Sequence, residues 1–273
     1  MRNTHAIPFS FNAGGRLVEL AEPQIMGILN VTPDSFFAAS RREGETAIVE
    51  RARQIVDEGA LVIDVGGCST RPGSEPASEE EEKARLGVAL KAIRRELPDA
   101  LLSVDTFRPR VAEWAVGEYG VTMVNDVSGG ADPAMFPLVA RLRVPYVLTY
   151  AGSLAGGVGA VMCELSKRVA ELRELGAKDV LLDPGFGFGK TLDENYELLS
   201  HLSDLRQMEL PLLVGVSRKS MVHRLLGITA DEALNGTTVL HTLALERGAD
   251  MLRVHDVRAA AEAIRIVAKM SKE

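Results

Sequence analysis

Eight times along the chain an apolar run stops abruptly at polar residues suited to chemistry. Residues 25–29 stop at Asn30, residues 61–65 at Gly66-Gly67-Cys68-Ser69-Thr70-Arg71, residues 101–104 at Asp105, and residues 121–124 at Asn125-Asp126. Residues 146–148 stop at Thr149-Tyr150, residues 180–182 at Asp183, and residues 212–216 at Ser217-Arg218-Lys219. The last run, 251–254, is interrupted by Arg253 and stops at His255-Asp256. Short continuous apolar runs separated by helical stretches read as buried parallel strands. Polar residues confined to their carboxyl ends converge only if the strands lie side by side. The pattern predicts an α/β chain, a (β/α)8 TIM barrel with its site on the C-terminal rim.

Helical periodicity fills the gaps between these runs. Residues 46–58 place Ile48, Ala52, Ile55 and Val56 on one face. Residues 78–96 open with Ser78-Glu79-Glu80-Glu81, a capping box with acid in the first turn. Residues 231–247 and 257–270 are similar. Gly59, Gly120, Gly176 and Gly248 stand where a left-handed helix end precedes a strand. An open doubly wound sheet is the alternative, but it binds mainly at one switch point, whereas here every strand ends in polar residues. Residues 7–20 read as a β-hairpin around Asn12-Ala13-Gly14-Gly15, placed to plug the N-terminal mouth. No linker or low-complexity tract divides the chain, so residues 1–273 are expected to form one domain, with the barrel over 24–260.

Composition narrows the function classes. A net charge of −7 argues against nucleic acid as a partner, yet local Arg and Lys clusters can still bind an anion. Two cysteines, Cys68 and Cys163, suggest no disulfide framework and fit a reducing cytoplasm. No apolar run is long enough to span a membrane, and no leader is expected.

Asp105, Asn125 and Asp183 at one mouth would make a donor–acceptor ring suited to a planar, amide- and amine-rich heterocycle. A single Asp after a strand is commonly a turn or cap residue, and Asp183 precedes Pro184-Gly185. Cations at the start of a helix, as in Ser217-Arg218-Lys219-Ser220, break the dipole rule and point to an anion site. Arg71, Arg253 and His255 add a second positive group, with Arg253 and His255 on one strand face. An inward Arg253 needs a ligand or a carboxylate, Asp183 or Asp256. The loop of Asn30, Thr32 and Asp34 offers hard oxygens that suit Mg²⁺ beside phosphate. The Gly-rich 185–190 segment lacks a P-loop arrangement and reads as a mobile loop carrying Phe188 to a planar ligand. Together these residues describe a barrel enzyme for a polar heterocycle and an anion, by group transfer or elimination.

Seven blocks, in order, resemble the dihydropteroate synthase family. They are the segments 26–36 (Met-Gly-Ile-Leu-Asn-Val-Thr-Pro-Asp-Ser-Phe), 64–73 (Asp-Val-Gly-Gly-Cys-Ser-Thr-Arg-Pro-Gly), 103–106, 124–130, 182–190, 215–220 and 253–257. The resemblance implies condensation of 6-hydroxymethyl-7,8-dihydropterin diphosphate with p-aminobenzoate. It implies a pterin site of Asp105, Asn125, Asp183, Lys219 and Arg253. It gives the diphosphate, with Mg²⁺, to Asn30, Arg71, Arg253 and His255, with Asn30 as metal ligand. The p-aminobenzoate pocket becomes Phe36, Thr70, Pro72, Phe188, Lys219 and Ser220. Asp34, on a closing loop, joins Arg71, Lys219, Arg253 and His255 in catalysis. A homodimer is also implied.

Two departures stand out. After strand five the family carries Met-His-Met, and this chain carries Thr149-Tyr150-Ala151, with a following loop shorter by about ten residues. Cys68 stands where the family carries Glu. Lost apolar contact at Thr149 predicts weaker pterin binding, restored by Thr149→Met. Two other readings compete: a non-catalytic pterin-binding paralogue, and a methyltetrahydrofolate-binding corrinoid methyltransferase domain, which needs neither the 217–220 anion site nor the 32–36 loop.

Overall fold

The computed structural model describes residues 8–32, 41–68 and 77–270, with 41–43 by backbone alone. Eight parallel strands run in the order β8-β7-β6-β5-β4-β3-β10-β9. They are β3 (Gln24–Asn30), β4 (Val62–Gly66), β5 (Leu101–Asp105), β6 (Met123–Asp126), β7 (Tyr146–Thr149), β8 (Val180–Asp183), β9 (Leu213–Val214) and β10 (Met251–Val254). A parallel bridge between Leu182 and Leu212 joins β8 to the β9 side, and Leu182 N–H donates to Pro211 C=O at 2.8 Å. That contact closes the barrel. The strands are short and apolar because both faces are covered.

Helices α1 (Arg41–Asp57), α2 (Glu79–Glu96), α3 (Pro109–Tyr119), α4 (Met135–Leu142), α5 (Gly157–Glu174), α6 (Leu192–Ser200), α7 (Ser220–Leu226), α8 (Leu234–Glu246) and α9 (Val257–Met270) follow the strands, with α7 and α8 both between β9 and β10. The expected capping box is present: Ser78 Oγ accepts from Glu81 N–H at 3.2 Å and Glu81 Oε2 accepts from Ser78 N–H at 2.9 Å. The four helix-end glycines adopt φ of 103°, 61°, 93° and 92°. Helix α8 begins later than its periodicity suggested, at Leu234. No helix among the described residues is long and apolar enough to cross a membrane.

The hairpin of β1 (Phe9–Ala13) and β2 (Arg16–Leu20) is tighter than expected, since Ala13 stays in the strand. Asn12 Oδ1 accepts from Gly15 N–H at 2.7 Å and fixes the turn. Its buried Phe11, Ala13, Val18 and Leu20 meet Met26, Val62, Leu101, Met123, Val147, Leu181, Leu213 and Met251, one residue from each barrel strand. These residues lie toward the amino ends of the strands, so the hairpin plugs that mouth.

Candidate active site

Strand alternation now sorts the lumen. Val62, Leu101, Met123, Val147, Leu181 and Met251 point inward to the plug. Two residues further along the same faces come Asp64, Ser103, Asn125, Thr149, Asp183 and Arg253. Asn30, Asp105 and His255 cap the next step. An apolar layer is thus overlaid by a polar one, open at the carboxyl ends of the strands.

Arg253 organises this layer. Its Nε donates to Asp64 Oδ2 at 2.7 Å and its Nη2 to Asp105 Oδ2 at 2.5 Å. Asn125 Nδ2 donates to the same Asp64 oxygen at 2.9 Å. The carboxylates expected to meet Arg253 were Asp183 or Asp256. Asp256 instead takes a bidentate pair from Arg218, at 2.9 and 2.7 Å. Burial pulls the Arg253 guanidinium down, but Asp64 and Asp105 outweigh it and hold the group firmly charged. Burial pushes the Asp105 carboxyl up to about 7, against the pull of Arg253. Burial also raises Asp183, opposed first by Lys219, and Asp183 Oδ1 accepts from Gly185 N–H at 2.8 Å. Asp183 therefore makes the turn contact while standing on the inward face with the other polar residues.

Asp64, and Ser103 beneath Asp105, are functional candidates that sequence reasoning passed over. Both are fully buried. Their signal was available: a carboxylate and a hydroxyl inside otherwise apolar strand runs, on the inward parity.

Lys219 caps α7 and donates through Nζ to Phe186 C=O. It also lies 4.7 Å from the centre of the Phe188 ring. Burial lowers its amine to about 8, with Asp183 holding it up. Ser220, half-buried, starts α7 beside it. Lys190 donates to Tyr150, Gly185 and Phe188 carbonyls at 3.1, 3.0 and 3.1 Å and fastens the Gly-rich segment to the end of β7.

His255 corrects one expectation. Burial first, then Arg253 and Arg218, lower its imidazole to about 4, so it is neutral at pH 7 rather than a positive group. Its Nδ1 lies 3.1 Å from Ser217 Oγ, which also accepts from His255 N–H at 3.1 Å. Arg218 also departs from expectation. At φ 53° it turns from the mouth to Asp256 and is a structural pair. Asn30 stays at the rim. A Cβ built on Gly66 would fall 3.2 Å from Asn30 Oδ1 and 3.6 Å from Asp105 Oδ2, so glycine keeps the space between them open.

The structure therefore brings Asn30, Asp105, Asn125, Asp183, Phe188, Lys219, Ser220, Arg253 and His255 to one end of the barrel. Asp34, Phe36, Thr70, Arg71 and Pro72 lie outside the described residues.

Residues 26–255 match the family described as pterin binding enzyme. The chain is 38% identical over 267 residues to the dihydropteroate synthase of Escherichia coli K12, covering 93% of this chain and 94% of that one. The chain belongs to the dihydropteroate synthase family. Solved structures agree. A Xanthomonas albilineans dihydropteroate synthase with 4-aminobenzoic acid superposes with a TM-score of 0.88 at 36% identity, covering 97% of this chain and 99% of that one. A dihydropteroate synthase from Coxiella burnetii in complex with pteroic acid gives 0.86 at 32%, covering 96% and 98%. These likenesses favour the transferase over the corrinoid methyltransferase reading.

Proposed function

We propose that this chain condenses 6-hydroxymethyl-7,8-dihydropterin diphosphate with p-aminobenzoate, and that its polar lumen layer is the pterin seat. The observation that carries this reading is a set of inward oxygens on Asp64, Asp105 and Asn125 that are buried and have no partner. Such groups cost free energy unless a ligand pairs with them, and a pterin edge supplies amine, amide and ring-nitrogen partners.

In this reading Asp105, Asn125 and Asp183 read the ring edge, and Lys219 adds a donor above Asp183. Arg253 presents a charged, preorganised plane to the ring and to the departing diphosphate. The C–O bond to diphosphate breaks with both electrons leaving on oxygen. The aniline nitrogen attacks the resulting methylene cation and releases a proton. Fixed positive charge beside the leaving group favours that step. Neutral His255 supplies a hydrogen bond to the diphosphate. Phe188, Lys219 and Ser220, with Phe36, Thr70 and Pro72, hold p-aminobenzoate. Asn30 and Arg71 hold diphosphate, and Asp34 shields the cation from water.

Asn30 fits Mg²⁺ as a hard amide oxygen at the rim, in a space that Gly66 keeps clear. When bound, the ion would neutralise charge on the departing diphosphate. Exposed Leu225 and Leu226 on α7 and Leu234 and Val239 on α8 support a homodimer through these outer helices. Neither Cys68 nor Cys163 forms a disulfide among the described residues, which supports a cytoplasmic setting.

The test is diphosphate release from the pterin diphosphate with Mg²⁺, with and without p-aminobenzoate. Release that depends on p-aminobenzoate, with dihydropteroate formed in equal amount, supports the reading. A folded protein that binds pterin yet forms no product favours the non-catalytic paralogue.

A further inference from the structure

The departure at strand β7 carries an inference beyond the family's pattern. Thr149 shares its strand face with Val147, which belongs to the inward cluster, and stands opposite Asp183 in register. It is 2% exposed, and its Oγ1 has no hydrogen-bond partner. Five of the eight buried unpartnered side-chain atoms among the described residues belong to Asp64, Ser103, Asp105, Asn125 and Thr149. All five occupy the polar layer; the others belong to Glu82 and His241.

Two glycines pack closely against the backbone at Thr149. A Cβ on Gly129 would collide with the Thr149 carbonyl, and one on Gly185 with the Tyr150 carbonyl. Both glycines hold positive φ, 66° and 75°. The same Gly185 Cβ would lie 3.3 Å from Thr149 Cγ2, so the methyl branch rests against that glycine. A β-branched side chain on a strand has few χ1 choices, and fixing the methyl fixes the hydroxyl.

We propose that the Thr149 hydroxyl is a specificity determinant, a preset hydrogen-bonding group for the rim of the pterin ring next to Asp183. The proposal rests on the synthase reading and deepens it. A hydroxyl can both donate and accept, so it serves a ring edge on which donors and acceptors alternate. Valine has the same shape and would spare the protein an unpartnered buried group. A polar atom kept in such a place is a sign of a ligand contact, because local rules are broken where function needs it. The wall after strand five is thereby polar in this chain, not merely a thinned apolar surface.

Calorimetric titration with pterin diphosphate and thermal melting of the free protein test this, on the full chain and on Thr149→Val, Thr149→Ser and Thr149→Met. Thr149→Val should melt at or above the unmodified protein and bind the pterin diphosphate about 5- to 30-fold more weakly. Thr149→Ser should recover most of the affinity. A purely structural threonine would instead lower melting and affinity together, which overturns the proposal. So does unchanged affinity in Thr149→Val, or tighter binding in Thr149→Met, which would restore the apolar-wall reading. If the unmodified folded protein fails to bind, the synthase reading falls and this proposal with it. If it binds and the valine variant matches it, only this proposal falls.

Discussion

His241 gives the structure a pH dependence whose size can be worked out. It sits on the inner side of α8, 1% exposed, and neither ring nitrogen has a partner. Burial pushes its imidazole from 6.5 down to about 4, with Asp256 pulling the other way. The sign follows from linkage. Between pH 6.5 and 4 the unfolded chain carries a proton on this residue that the folded chain refuses. The contribution is therefore complete above pH 6.5 and is lost as pH falls through that window, at roughly 1.4 kcal/mol per pH unit. The whole window is worth about 3 kcal/mol. His255 is lowered to about 4 as well, so a single curve mixes the two. Comparing the protein with His241→Leu isolates one of them, because His255 and the carboxylates titrate in both. The leucine variant should be at least as stable at pH 7, since two unpartnered polar atoms are replaced by apolar surface. Its advantage should widen by about 3 kcal/mol on acidification to pH 4. For a chain near this size that is a melting difference of about 6–12 °C. Melting in matched buffers from pH 7.5 to 4 reads this directly. Parallel curves for the two proteins would refute the reasoning and show that the folded state can hold a protonated His241.

Three further outcomes follow from the site. Asp183→Asn should weaken pterin diphosphate binding by about 1.5–3 kcal/mol, because a charged acceptor is lost from a buried position; unchanged affinity by calorimetry would remove Asp183 from the pterin seat. Asp64→Ala leaves Arg253 half-paired in the lumen and should cost about 3–5 kcal/mol of stability, and a urea-unfolding loss under about 1 kcal/mol would show that Asp105 alone satisfies the guanidinium. Removing divalent ions with EDTA should abolish turnover and added Mg²⁺ should restore it; full turnover in EDTA would show that diphosphate leaves on the protein's own cations.

The barrel was legible because its signal is repetitive: each strand buries both faces and ends in polar residues. The plug was legible from paired glycines before the first strand. Partner choice within the lumen was not. Pairing Arg253 with Asp64 requires knowing that β10 lies next to β3 and that β3 lies next to β4. The charge of His255 was also out of reach, because burial against two arginines, not residue type, decides it. Asp64 and Ser103 were hidden inside runs read as uniformly apolar. The Thr149 substitution was visible, but the burial of its hydroxyl without a partner was not. That orphaned hydroxyl is the observation on which the proposed role of β7 rests.

The hairpin beneath the barrel makes the molecule a cup with one opening. Every strand is sealed to it at the base, so on the proposed assignment both substrates and both products share a single doorway. Depth then dictates sequence. On that assignment the pterin would sit at the bottom, around buried Asp105 and Asn125, whereas Asn30, Phe188, Lys219 and Ser220 are half-buried nearer the rim. A rim ligand that arrives first obstructs the ligand bound for the floor, and one that arrives second traps it. On the proposed assignment, traffic through such a vessel would be a queue: the pterin enters first, p-aminobenzoate closes the column above it, and nothing from the floor leaves until the rim has cleared.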